Sequence, residues 1–177
     1  MSRRPTRPFA PFRFTLAFGC ALALATAACG PPTIKPTSSA DPQAPCVGGS
    51  MSWSIEVLDR RAEREASDKV VALVKDSVTG SFPGCKWSAP GAPETPSILI
   101  EINRFSAPFQ DGTWNGAADF SVLVRNASGQ TLSEFEAEDD VERPNYMGSN
   151  NEKEALQEVF AEALRKTLAG LRAVPPS

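Results

Sequence analysis

The chain predicts an α+β fold: a single four-stranded, mostly antiparallel sheet with two helices on one face, in the order β-α-β-β-β-α. Three observations predict it. Four segments alternate apolar and polar residues, the period of a half-buried strand. Two others repeat apolar residues every three or four positions, the period of a helix with one oily face. Clusters of Gly, Pro, Asn and Ser separate them. Both helices bury their faces most economically on one side of the sheet, leaving the other side polar or against a partner. The 177 residues suit one domain with tails, and there is no internal repeat.

The elements follow in chain order. Met51, Trp53, Ile55 and Val57 share one face of a strand over 51–58. Asp59 then suits a helix cap, because its carboxylate accepts from the free amides of a first turn. Ala62, Ala66, Val70, Leu73, Val74 and Val78 mark a helix over 60–78, with Gly80 as its stop. Residues 82–96 are a loop full of breakers. A strand over 97–105 points Ile98, Ile100 and Ile102 inward. A turn at 107–112 leads to a strand over 113–125 with Ala118, Phe120, Val122 and Val124 inward. Asn126-Ala-Ser-Gly129 is a turn that joins antiparallel neighbours. The strand over 130–142 turns Ser133, Phe135, Ala137 and Val141 inward, with Glu134, Glu136, Glu138 and Asp140 in water. Ser149 and Glu152 form a capping box. The helix after it carries a stripe from Ala155 through Phe160 and Leu164 to Leu171.

The first 28 residues read as a secretory signal. Arg3, Arg4, Arg7 and Arg13 precede an apolar run that ends in small residues. The run is too short for a membrane span, which needs about 20 apolar residues. Two cleavage readings stand. Ala25–Ala27 or Thr26–Ala28 suits ordinary signal peptidase. Alternatively, Thr26-Ala27-Ala28-Cys29 resembles a bacterial lipobox, which implies that Cys29 is the lipidated first residue. Residues 29–45 then form the lipidated Cys and a flexible Pro/Ser/Thr-rich tether. The globular domain spans 46–173, and 174–177 is a disordered tail. Cys20 leaves with the signal and Cys29 takes the lipid, so Cys46 and Cys85 remain as an even pair in an exported domain. A structural disulfide is the expected state, with free thiols or a redox site as rivals; the Cys-x-x-Cys of redox pairs is absent.

Composition argues against several chemistries. The chain has no histidine, the commonest general base and zinc ligand. Its 18 basic residues less the four leader arginines leave 14 against 21 acids, a balance of −7 that does not suit nucleic acid. The acidic run Glu134–Glu142 lacks a calcium-loop pattern and reads as a solvated strand that discourages edge-to-edge pairing. Nothing in the spacing brings Asp111 to Asp119, and Ser128 and Ser149 have no histidine partner. Arg60, Arg61 and Arg64 suit anionic headgroups or glycan, or else pair in water with Glu63 and Glu65. No catalytic residue, metal or cofactor is assigned, and the chain is read as a non-enzyme. Phe105, Phe109 and Trp114 bracket a Pro/Gly turn, and Tyr146 lies in another loop. Exposed, they form a partner surface; buried, they plug the sheet's rim.

A lipidated cysteine, a proline-rich tether and this β-α-β-β-β-α order resemble the small periplasm-facing lipoproteins of Gram-negative bacteria. The lipopolysaccharide-assembly and transporter-auxiliary lipoproteins belong to that group. The stretch Asn115–Leu132 resembles their hairpin, in which a strand after a glycine leads to a polar-Gly turn and a strand beginning near Leu. The resemblance implies non-catalytic work as an accessory or binding module of an envelope complex. Gly30, where an inner-membrane retention aspartate would stand, implies the outer membrane, facing the periplasm. The alternative is a small-ligand, lipid-like carrier with a cavity between helices and sheet, lined by Phe120, Phe135 and Phe160.

Overall fold

Alternation decides the inner face of the sheet. Ile98, Ile100 and Ile102 on β3 (Ser97–Ser106) are buried, as are Ala118, Phe120, Val122 and Val124 on β5 (Thr113–Arg125). The computed structural model describes residues 34–35, 45–50, 52–62, 69–145 and 151–176. The remaining elements are β1 (Ser52–Asp59), α1 (Val70–Ser81), β2 (Lys86–Ser88), β4 (Phe109–Gln110), β6 (Thr131–Pro144) and α2 (Asn151–Arg172). The four long strands and two helices keep the expected order. Two short strands, β2 and β4, add to them.

The sheet runs β2-β1-β3-β5, with β6 on the far side of β5 and β4 beside the first residues of β5. It is mixed. β1 lies parallel to both β2 and β3, whereas β3, β5 and β6 are antiparallel. The expectation of a mostly antiparallel sheet therefore needs correction at β1. A helix joins β1 to the sheet again, and such a crossover returns the chain parallel. One-residue register shifts interrupt β3 between Ile102 and Arg104 and the β5–β6 ladder between Val124 and Arg125. The second follows the Asn126–Gly129 turn, where Gly129 takes φ +83°, a left-handed conformation that glycine tolerates.

The first helix begins later than its periodicity predicts. Arg60 N–H donates to the Ile102 carbonyl at 2.9 Å, so the chain still follows β3 there. The Asp59 carboxylate accepts from Arg61 N–H (3.1 Å) and its guanidinium (2.8 and 3.0 Å), and residues 60–62 are not helical. Described helix starts at Val70 and passes Gly80 to end at Ser81. Residues 63–68 lie outside the described residues.

Both helices cover one face, and one core joins them to the sheet. α2 contributes Ala155, Leu156, Val159, Phe160, Ala163, Leu164, Leu168 and Leu171, the expected stripe. Its first turns come very close to β5. A Cβ on Gly116 would stand 3.0 Å from the Ala155 carbonyl and 2.9 Å from Val141, so only glycine lets helix and sheet meet there. At the other end of α2, Val174 is buried, which corrects the expected tail over 174–177; it belongs to one core with Trp53, whose indole N–H donates to the Val47 carbonyl (2.9 Å).

Cys46 and Cys85 form the expected disulfide, with Cα atoms 4.9 Å apart and a sequence separation of 39. The bridge ties the turn at Val47–Gly49 to the loop after α1 and encloses β1 and α1. Closing a loop of this length restricts the unfolded chain by roughly 3–4 kcal/mol. We expect Cys46→Ser/Cys85→Ser to lower unfolding stability by about that much in urea. A loss below about 1 kcal/mol would count against the bridge as a stabilising constraint.

Candidate functional site

The sheet gives the domain two ends. At the disulfide end lie Cys46, Cys85, Trp53, the start of β1 and the last turn of α2. At the opposite end lie the close of β3, the β4–β5 hairpin, the last residues of β6 and the first turn of α2. Asn145 N–H donates to the Gly112 carbonyl (3.0 Å), and the Asn151 side-chain amide donates to the Pro144 carbonyl (2.9 Å). These bonds hold the hairpin, β6 and α2 together.

The hairpin end divides the predicted aromatic surface. Phe105 is buried, edge-to-face with Phe160 at 6.1 Å between centroids, so it belongs to the core and not to a partner surface. The register shift beside it returns Phe105 to the inner face opposite Ala118. Phe109 is 50% exposed, the one large apolar side chain so exposed among the described residues. Its ring lies 5.0 Å from that of half-buried Trp114, directly across the hairpin. Asp111 and Gly112 make the turn between them, both at positive φ. Tyr146 and Cys29 lie outside the described residues.

The sheet face that neither described helix covers carries a second set. Leu58 on β1, Leu99 on β3 and Leu123 on β5 are partly buried there, and Leu99 pairs directly with Leu123. Glu56, Glu101, Asp119, Glu134, Glu136 and Glu138 surround them by register. Arg60 forms an ion pair with Glu101 at 2.8 Å. The sequence reading missed these leucines, although a signal was present. Ile98-Leu99-Ile100 and Val122-Leu123-Val124 are unbroken apolar triplets, and alternation alone would put a polar residue in the middle of each.

The weighed chemistries find these positions. Asp111 sits at the hairpin tip and Asp119 well along β5. Arg60 pairs with Glu101 and Arg61 with Asp59; Glu63, Arg64 and Glu65 lie outside the described residues. Glu134, Glu136 and Glu138 alternate out of β6 into solvent as expected. Among the described residues, no three metal-ligating side chains converge. The hydrogen bond from Arg165 holds Glu162 below the usual carboxylate range. Those to Glu158 and Glu162 hold Arg143 and Arg165 above theirs. These groups belong to exposed ion pairs of small energetic worth.

The interior expected of a carrier is filled. Phe120 and Phe160 are fully buried and edge-to-face, with centroids 6.5 Å apart. Phe135 lies flat over Gly170, where even a Cβ would collide with its ring. Two concavities are open grooves at the surface. One of about 440 Å³ lies beside Arg104, Asn115 and Asp140, and one of about 550 Å³ along Asp139, Glu162 and Arg165. On β6, Lys166 Nζ donates to the Glu138 carbonyl at 2.5 Å and to Asp139 at 3.1 Å.

The tether also touches the domain. Lys35 N–H donates to the Gln157 side-chain carbonyl at 2.8 Å, and the Gln157 amide donates back to the Lys35 carbonyl at 3.1 Å. Ile34 packs against the core beside them. The expectation of a wholly flexible tether over 29–45 is corrected at these two residues.

Helices on one face of a mixed sheet define the class of fold. No family model matches the chain, and no curated protein does. It is similar to a solved protein from Xanthomonas campestris of the DUF330 family model. That pair shows 14% identity, covers 78% of this chain and 93% of that one, and has a TM-score of 0.46. It is similar to a minor lipoprotein from Acinetobacter baumannii (12% identity, 75% of this chain and 98% of that one, TM-score 0.48). It is also similar to lipoprotein GNA1162 from Neisseria meningitidis (9%, 68% and 99%, TM-score 0.45). At this level the likeness lends no residue and no activity to the chain. Among the described residues, no helix is long and apolar enough to cross a membrane.

Proposed function

We propose that the chain is a bacterial envelope lipoprotein. Cys29 carries the lipid, the outer membrane holds it, and the domain faces the periplasm as a non-catalytic accessory of an envelope complex. The signal-like leader, the lipobox-like Thr26–Cys29 and the disulfide of an exported domain support the anchor. The observation that carries the binding role is the sheet face that neither described helix covers. Three leucines spread across β1, β3 and β5 there, inside a rim of carboxylates. Apolar residues within a charged rim are the composition of a recognition patch. The carboxylates select a basic protein surface and favour its encounter electrostatically. The filled interior and the absence of histidine from the chain support binding over carriage or catalysis.

The test is a photo-crosslinking amino acid at Leu99 in growing cells. We expect a discrete adduct with an envelope protein that disappears when Leu123→Glu is added. Illumination that yields no adduct overturns the docking face.

A further inference from the structure

We propose that the Phe109–Trp114 hairpin is a membrane-contact element, held against the bilayer by the docked tether. The inference rests on the anchor at Cys29. It starts from where the tether is held. Lys35 sits beside Gln157 in the second turn of α2, near the hairpin end, whereas Val47 packs beyond the last turn of α2. Cys29 to Lys35 is six positions, which span at most about 20 Å fully extended. Counted instead from Cys46 at the disulfide end, the leash would be 17 positions long, enough to let either end face the lipid. The paired bonds of Gln157 to the Lys35 backbone therefore choose which end faces the bilayer.

The end so chosen carries the exposed Phe109, tilted against Trp114. Aromatic rings with one apolar body and one polar edge favour the headgroup layer, and Trp does so especially. Asp111 at the tip keeps the insertion shallow, because a carboxylate is costly in hydrocarbon. The partner is thus a lipid surface at headgroup depth. Trp53 and Trp87 pair in register on β1 and β2, away from the hairpin, so Trp114 is the indole that reports contact.

The experiment uses the full acylated protein purified from membranes. It is reconstituted into vesicles of phosphatidylethanolamine and phosphatidylglycerol whose acyl chains carry bromine, a quencher of indole emission. We expect a quenched component that is lost in Trp114→Phe and in Phe109→Asp, while both variants still float with the vesicles. Gln157→Ala lengthens the free leash and is expected to reduce the quenching. Full quenching in Gln157→Ala overturns the positioning role of the tether. Acylated protein that floats but shows no Trp114-dependent quenching overturns the membrane contact, leaves the anchor standing and hands the ring pair to a protein partner. Mass spectrometry finding Cys29 unmodified overturns both.

Discussion

In fractionated cells, Cys29→Ser is expected to leave the membrane pellet entirely and appear soluble, its Cys46–Cys85 bridge intact. In the proposed arrangement attachment rests on one sulfur atom, for three reasons. Among the described residues, which leave out the leader, no helix is long and apolar enough to cross a bilayer. The chain after residue 28 carries a balance of −7, with 14 basic and 21 acidic residues, so an anionic membrane surface repels it. The hairpin rings supply one shallow contact, too small to hold a domain alone. Buried acyl chains contribute about 0.8 kcal/mol per methylene, and stable attachment takes two chains or a second signal. A variant that stays in the pellet through a high-salt wash would show that something other than this cysteine holds the protein. It would also remove the basis of the leash argument.

The second large effect is expected in the core. Phe160 reaches from α2 to both β3 and β5, with Phe105 at 6.1 Å and Phe120 at 6.5 Å, both edge-to-face. All three rings are buried, and Phe160 is fully so. Truncating such a ring removes its transfer free energy and leaves a cavity, together about 3–5 kcal/mol. The lost ring pairs account for part of that range. A domain of this size is stable by roughly 5–15 kcal/mol, so Phe160→Ala should consume a large share and move the urea midpoint strongly. Phe160→Leu keeps most of the volume and should cost about 1–2 kcal/mol. A loss under about 1 kcal/mol for Phe160→Ala would mean that the interior is loosely filled. The carrier reading would then return.

Much of the fold was legible because burial writes a period into a chain. Most of α2 was readable, since Ala155 to Leu171 repeats one face of a 22-residue helix. β3, β5 and the inward set of β6 followed from alternation, and the disulfide from counting cysteines. The misses have physical causes. β2 is three residues within a loop of prolines, and β4 is two; neither is long enough to show a period. Asp59 suits a cap by sequence; its carboxylate holds both the backbone N–H and the guanidinium of Arg61, and residues 60–62 there are not helical. Leu99 and Leu123 were hidden inside triplets whose outer members were rightly assigned inward. The grip of Gln157 on Lys35 left no trace in the sequence. A side-chain amide that holds backbone 122 positions away obeys no local pattern.

One feature of β6 matters beyond its own stability. A tethered protein shares a flat surface with its copies, and confinement raises how often equivalent edges meet. β6 offers 14 residues of such an edge. Its outward carboxylates repel the same strand on a neighbour, and the Lys166 ammonium already occupies the Glu138 carbonyl. Crowded molecules can therefore slide past one another without zipping into a fibre.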